Sequence, residues 1–97
     1  MAIGAVGVIS VVANVVPDLV AKLADAAMKG DMEEGRRLHK LLFPLSKALF
    51  AETNPCPVKA AMAMLGKCEN VLRLPLVPVR KETEELVRKA LADLGAL

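Results

Sequence analysis

The sequence predicts a mainly α-helical chain of about four helices, led by one β-strand with no partner inside the chain. Three observations carry this. Apolar residues recur at helical spacing over most of the length, Pro and Gly mark where those runs open and close, and a β-branched cluster lies near the N-terminus.

The N-terminal element comes first. Met1 to Pro17 holds no charged side chain, and Ile9, Val11, Val12, Val15 and Val16 are β-branched. Gly4 and Gly7 interrupt any helical reading. The stretch lacks the positive start of a signal peptide. It is also shorter than the roughly 20 apolar residues needed to cross a bilayer as a helix. A strand from Val6 to Val12 that is apolar on both faces fits, as in a buried parallel sheet. A turn follows at Ala13-Asn14.

Pro17 is placed at the first turn of a helix, where its missing N–H is not needed. Leu19, Val20, Leu23, Ala24, Ala27 and Met28 follow at helical spacing, and Gly30 stops the run. Asp31 can cap the next helix, with Glu33 and Glu34 near its positive end. Leu38, Leu41, Leu42, Leu45 and Leu49 form its apolar stripe. Pro44, in the middle, removes one hydrogen bond and predicts a kink without ending the helix.

Asn54-Pro55-Cys56-Pro57 reads as a rigid turn, and Pro57 opens a third helix through Val58, Ala61, Met62 and Leu65, closed by Gly66. Arg73 to Val79, with Pro75 and Pro78, is an extended connector that cannot sit inside a sheet. The last helix runs from about Lys81 to Leu94. Glu84–Arg88 and Glu85–Lys89 pair along it, and Leu86, Ala90, Leu91 and Leu94 face inward. Gly95 ends it.

Composition narrows the function. Thirteen Lys and Arg against eleven Asp and Glu leave a charge of +2, in an interspersed pattern with no basic stripe. Trp and Tyr are absent, and the two Phe residues, Phe43 and Phe50, offer no stacking platform. Nucleic acid is therefore not an expected partner, and neither is a membrane. Cys56, Cys68 and the single histidine, His39, do not make a zinc-ligand spacing. No metal and no cofactor are expected. Two cysteines without a secretory signal predict reduced, buried thiols in the cytoplasm.

The hydrophobic fraction of 55% exceeds what a small monomer hides easily. Self-association is expected, or a larger body from which the chain is a piece. The lone strand leads to the same place, because it cannot satisfy its own backbone groups.

Three stretches carry a resemblance. Gly4-Ala5-Val6-Gly7-Val8-Ile9-Ser10-Val11-Val12-Ala13-Asn14-Val15 resembles the eighth barrel strand, and the loop after it, in the dihydrodipicolinate synthase family of class I aldolases. Leu49-Phe50-Ala51-Glu52-Thr53-Asn54-Pro55-Cys56-Pro57-Val58-Lys59 is similar to a segment of that family's C-terminal helical extension. Arg73-Leu74-Pro75-Leu76-Val77-Pro78 is similar to the connector before its last helix. The three occur in the family's order and cover essentially the whole chain.

The resemblance implies the last β/α unit of a (β/α)8 barrel at residues 1–30 and the helical extension at 31–97. Enzymes of this fold run to about 250 residues or more, so some two-thirds of such an enzyme would precede this segment. The implied activity of the whole enzyme is condensation of pyruvate with aspartate semialdehyde, on the diaminopimelate route to lysine. The family's Schiff-base lysine, its tyrosine pair, its threonine and its arginine all lie upstream, and this chain holds no Tyr at all. No catalytic residue is therefore expected here. One substrate contact carries over: Ile9 stands where the family's eighth strand offers a backbone group beside pyruvate. The implied partner is the remaining barrel portion, or other subunits of the parent enzyme.

Other residues invite sharper readings. Lys59 resembles a nucleophile only if a desolvated pocket surrounds it, and a structural or solvated role is the expectation. His39 is expected on the polar face of the second helix. Asp18, Asp25 and Asp31 lack the close spacing and glycine turn of a calcium loop. Met62, Met64 and Leu65 read as core.

Overall fold

A computed structural model describes all 97 residues of the chain. Four α-helices follow an extended N-terminal segment: α1 (Pro17–Lys29), α2 (Met32–Leu49), α3 (Cys56–Met64) and α4 (Lys81–Asp93). A single 3-10 turn at Val12–Asn14 separates the segment from α1.

The helix ends are written in short local signals. Pro17 lies at the first turn of α1. Asp31 caps α2, its Oδ1 accepting the Glu34 N–H at 3.1 Å. α1 and α3 close the same way. Gly30 (φ 75°) and Gly66 (φ 68°) take the left-handed conformation, which a Cβ would strain. Each lets the next amide reach back into the helix, Asp31 N–H to Ala26 O at 2.9 Å and Lys67 N–H to Met62 O at 2.9 Å. This is the Schellman closure. Pro44 lies inside α2, and the helix continues through it to Leu49.

α1 and α2 pack as a helical hairpin, and α4 lies across α2 and α3. Their shared core comprises Leu42, Leu45, Ala48 and Leu49 from α2, Val58 and Ala61 from α3, and Val87, Ala90 and Leu91 from α4. Val12 and Val15 from the turn and Val20 from α1 complete it. Met62, Met64 and Leu65 are half-buried and pack against its edge rather than inside it. The core is small: only 18 of 97 residues are buried. The radius of gyration is 14.3 Å and the extents are 41 × 26 × 21 Å, longer than the roughly 13 Å typical of a compact chain of 100 residues.

Several expectations need correction. The expected strand from Val6 to Val12 does not form: residues 5–10 belong to no regular element, Val11 is already helical (φ −62°, ψ −41°) and Val12 begins the 3-10 turn. No residue enters a β-ladder, so the segment before it stands unpaired. On α4 the inward register is Thr83, Val87, Ala90 and Leu91, while Leu86 is exposed. Glu84–Arg88 pairs at 3.3 Å, but Glu85 and Lys89 form no ion pair. Leu41 and Met28 face outward rather than into the core. Cys56 is buried as expected, whereas Cys68 is exposed.

Candidate functional site

Residues 5–10 are extended, and none of their backbone N–H or C=O groups bonds to another backbone group. Side chains alternate along such a segment. Val8, Ser10 and Val12 face the helices, where they line a cleft of about 170 Å³ with Val20, Leu23, His39, Leu42, Phe43 and Ser46. Ile9 points the other way and is fully exposed. This is a six-residue run of bare, solvent-facing backbone that includes the uncovered Ile9, an edge open to pairing with another strand.

The end of this segment is held firmly. The Ser10 hydroxyl accepts the Ala13 N–H at 3.2 Å. The Val11 carbonyl accepts both the Asn14 N–H at 3.2 Å and the Asn14 side-chain amide at 3.1 Å. Val12 O accepts from Val15 and Val16, each at 3.0 Å. From the far end of α3, Lys67 Nζ donates to the Val15 carbonyl at 3.3 Å. Ile9 is therefore adjacent to a turn whose geometry is fixed by Ser10, Asn14 and Lys67. Ser and Asn bracketing Val-Val-Ala were the local signal for this turn; Lys67 carried none.

The other candidates border this segment and its turn without building a reactive site. Lys59 is half-buried and lines an open hollow with Asn14, Pro55, Val58, Met62 and Cys68. The enclosed pocket a Schiff-base lysine needs is not built there. His39 is exposed, its ring 5.6 Å from that of Phe43, and Lys47 Nζ lies 6.0 Å over the same phenyl ring. Asp31 serves as a cap, and no group of three His, Cys, Asp or Glu side chains is arranged to hold a metal. No helix is long and apolar enough to cross a membrane.

A long-range charge contact missed in the sequence ties the connector to the α2–α3 turn. Glu52 accepts the Arg80 backbone N–H at 3.0 Å and its Nε at 2.9 Å. Burial pushes the Glu52 carboxyl up, but the Arg80 bonds and the Thr83 hydroxyl outweigh it and hold the carboxyl below its usual range. At the surface of α2, hydrogen bonding to Arg37 likewise lowers Glu34.

Known proteins match this arrangement along its whole length. The model of the Dihydrodipicolinate synthetase family matches residues 1–94. The chain belongs to the dihydrodipicolinate synthetase family. A 4-hydroxy-tetrahydrodipicolinate synthase of Thermotoga petrophila is 52% identical over 94 residues, which is 97% of this chain and 32% of that protein. The corresponding synthase of Methanopyrus kandleri is 50% identical over 97 residues, 100% of this chain and 32% of its own length. The crystal structure of the Thermotoga maritima dihydrodipicolinate synthase superposes with a TM-score of 0.94 at 51% identity, over 97% of this chain and 32% of that one. The chain thus spans about a third of the length of the curated synthetase-family relatives it matches, and corresponds to their C-terminal part. The four helices agree with the helical C-terminal part of that fold.

Proposed function

We propose that this chain is the closing segment of a dihydrodipicolinate synthase. In this reading residues 1–30 supply the last barrel strand and helix, and residues 31–97 form the helical extension. The whole enzyme condenses pyruvate with aspartate semialdehyde, in the cytoplasm. The single observation that carries the reading is the bare backbone of residues 5–10, in a chain that matches its relatives over only a third of their length. The segment lacks the edge-to-edge hydrogen bonds that seven further strands of a barrel supply.

On its own, the chain is catalytically silent and acts as a folding and assembly module. Pyruvate chemistry in the family needs a lysine, a tyrosine pair, a threonine and an arginine that all precede this region. Ile9 contributes only its main chain, beside the pyruvate carbons, and only when the barrel is closed. The test is complementation. The purified chain is mixed with the N-terminal two-thirds of the Thermotoga maritima synthase, and condensation is measured in the mixture and in each half. Activity in the mixture alone supports the reading. Activity in this chain alone, or a borohydride-trapped pyruvate adduct on it by intact mass, overturns it.

A second reading rests on a separate observation: Ile3, Val6, Val8 and Ile9 are all exposed along one short segment. We infer that this segment buries itself by self-association when no other partner is present, the segments of two copies pairing. Light scattering on the chain alone decides it; a monomer at high concentration contradicts it.

A further inference from the structure

Two cavities, the exposed face of α2 and the Glu52–Arg80 contact each leave their role within the packing already described. The Lys67–Val15 contact does not. It joins two parts of the chain 52 residues apart, and it ends on the turn that carries the candidate substrate contact.

The physical case begins at Lys67 itself. Its backbone is fixed by the Schellman closure of α3, through its N–H to Met62 O at 2.9 Å and the left-handed Gly66 before it. The base of the side chain is thereby held in place. At the other end, Val15 is almost wholly buried, and its carbonyl accepts no backbone hydrogen bond. Helix α1 starts at Pro17, too late to use that carbonyl, and Pro17 has no N–H of its own. Without Lys67 the carbonyl stays unsatisfied, which a buried acceptor resists. An ammonium donor makes the bond charge-assisted. From Val15 the connection runs backward without a gap: Val15 N–H to Val12 O, Asn14 to Val11 O, and Ala13 N–H to the Ser10 hydroxyl. Ile9 is the next residue.

We propose that Lys67 is a positioning residue: from the helical extension it fixes the Ser10–Val15 turn, and through it the direction of the Ile9 carbonyl. That this carbonyl lies beside pyruvate rests on the reading proposed above; that Lys67 sets its direction does not. The helical extension then has a task beyond packing, for it holds the last strand's end in register with the pocket that strand completes.

The test uses the 97-residue chain alone, so failure of complementation leaves it intact. Amide exchange and the Ile9 carbonyl carbon shift are measured in the unaltered chain, in K67M and in K67R. In K67M the Asn14, Val15 and Val16 amides exchange about fivefold faster, the loss that fits one hydrogen bond at a partly exposed site. The Ile9 carbonyl shift moves, and α4 amides keep their protection. K67R, which still donates, retains the protection. Unchanged turn amides in K67M overturn the proposal. So does loss of protection across turn and α4 together, which would make Lys67 a general stability residue.

Discussion

Residues 5–10 and the inner stripe of α2 are both made of aliphatic side chains, yet they end in opposite situations. Leu38, Leu45 and Leu49 are wholly buried, while Val6, Val8 and Ile9 stand in the open. The difference lies in where each element finds its hydrogen bonds. A helix satisfies its own backbone and needs only one face covered, which α1 and α4 provide within the chain. A strand must borrow its partners from another strand. The chain therefore divides into a part whose stability is internal and a part whose stability is owed to something else.

The largest expected effect tests the internal part. Leu45→Ala should destabilise the chain by about 2–5 kcal/mol, since the side chain is fully enclosed. A urea or thermal melt reads it. A cost of only a few tenths would mean that the helices are not where the stability resides.

Next comes Asp31→Ala, which removes the α2 cap and should cost about 1 kcal/mol. The same melt checks it, with loss of helical circular dichroism at a lower denaturant concentration.

Glu52 makes a smaller, pH-dependent contribution. Its carboxyl sits below its ordinary value in the folded chain, so the unfolded chain binds its proton at the higher pH. Its stabilisation is fully present above the ordinary carboxylate value near 4.5 and is lost as pH falls through the folded value. Urea melts of the unaltered chain and Glu52→Gln should differ at pH 7 and converge toward pH 3. A gap that persists at pH 3 would separate the effect from the charge.

The smallest effect is the most telling for the comparison. Ile9→Ala should shift the stability of the isolated chain by no more than about 0.5 kcal/mol, because the side chain touches little there. The same substitution should weaken assembly with a complementing barrel portion, measured by titration calorimetry against that portion. A large loss of stability in the isolated chain would mean that the segment is already packed.

Most of this was legible in the sequence, for reasons that can be named. Pro17, Asp31, Gly30, Gly66 and Gly95 punctuate the helices with local chemistry, so element bounds agreed to within a residue or two. That residues 5–10 would find no partner inside the chain was visible too, because no second β-branched run accompanies them. The misses are of two kinds. Leu86 and Val87 are neighbours with similar hydrophobicity, and only the position of α2 and α3 decides which one turns inward. Val11 and Val12 read as strand because they are β-branched, but the Ser10 and Asn14 side chains offered the backbone a turn instead. Of the site, Ile9 came from family resemblance alone. Lys67, Glu52 and Arg80 act across long sequence separations and leave no periodic trace.

The bare edge at residues 5–10 also predicts how a solution of this chain should age. Ala5-Val6-Gly7-Val8-Ile9-Ser10 is a short, uncharged window with no proline, and the nearest charged side chain is Asp18. Such windows stack into cross-β fibrils when nothing else occupies their edges, and the charged gatekeepers that usually flank them are missing here. Fibril growth should then compete with any pairing partner for the same amides. The winner depends on protein concentration and waiting time as much as on affinity.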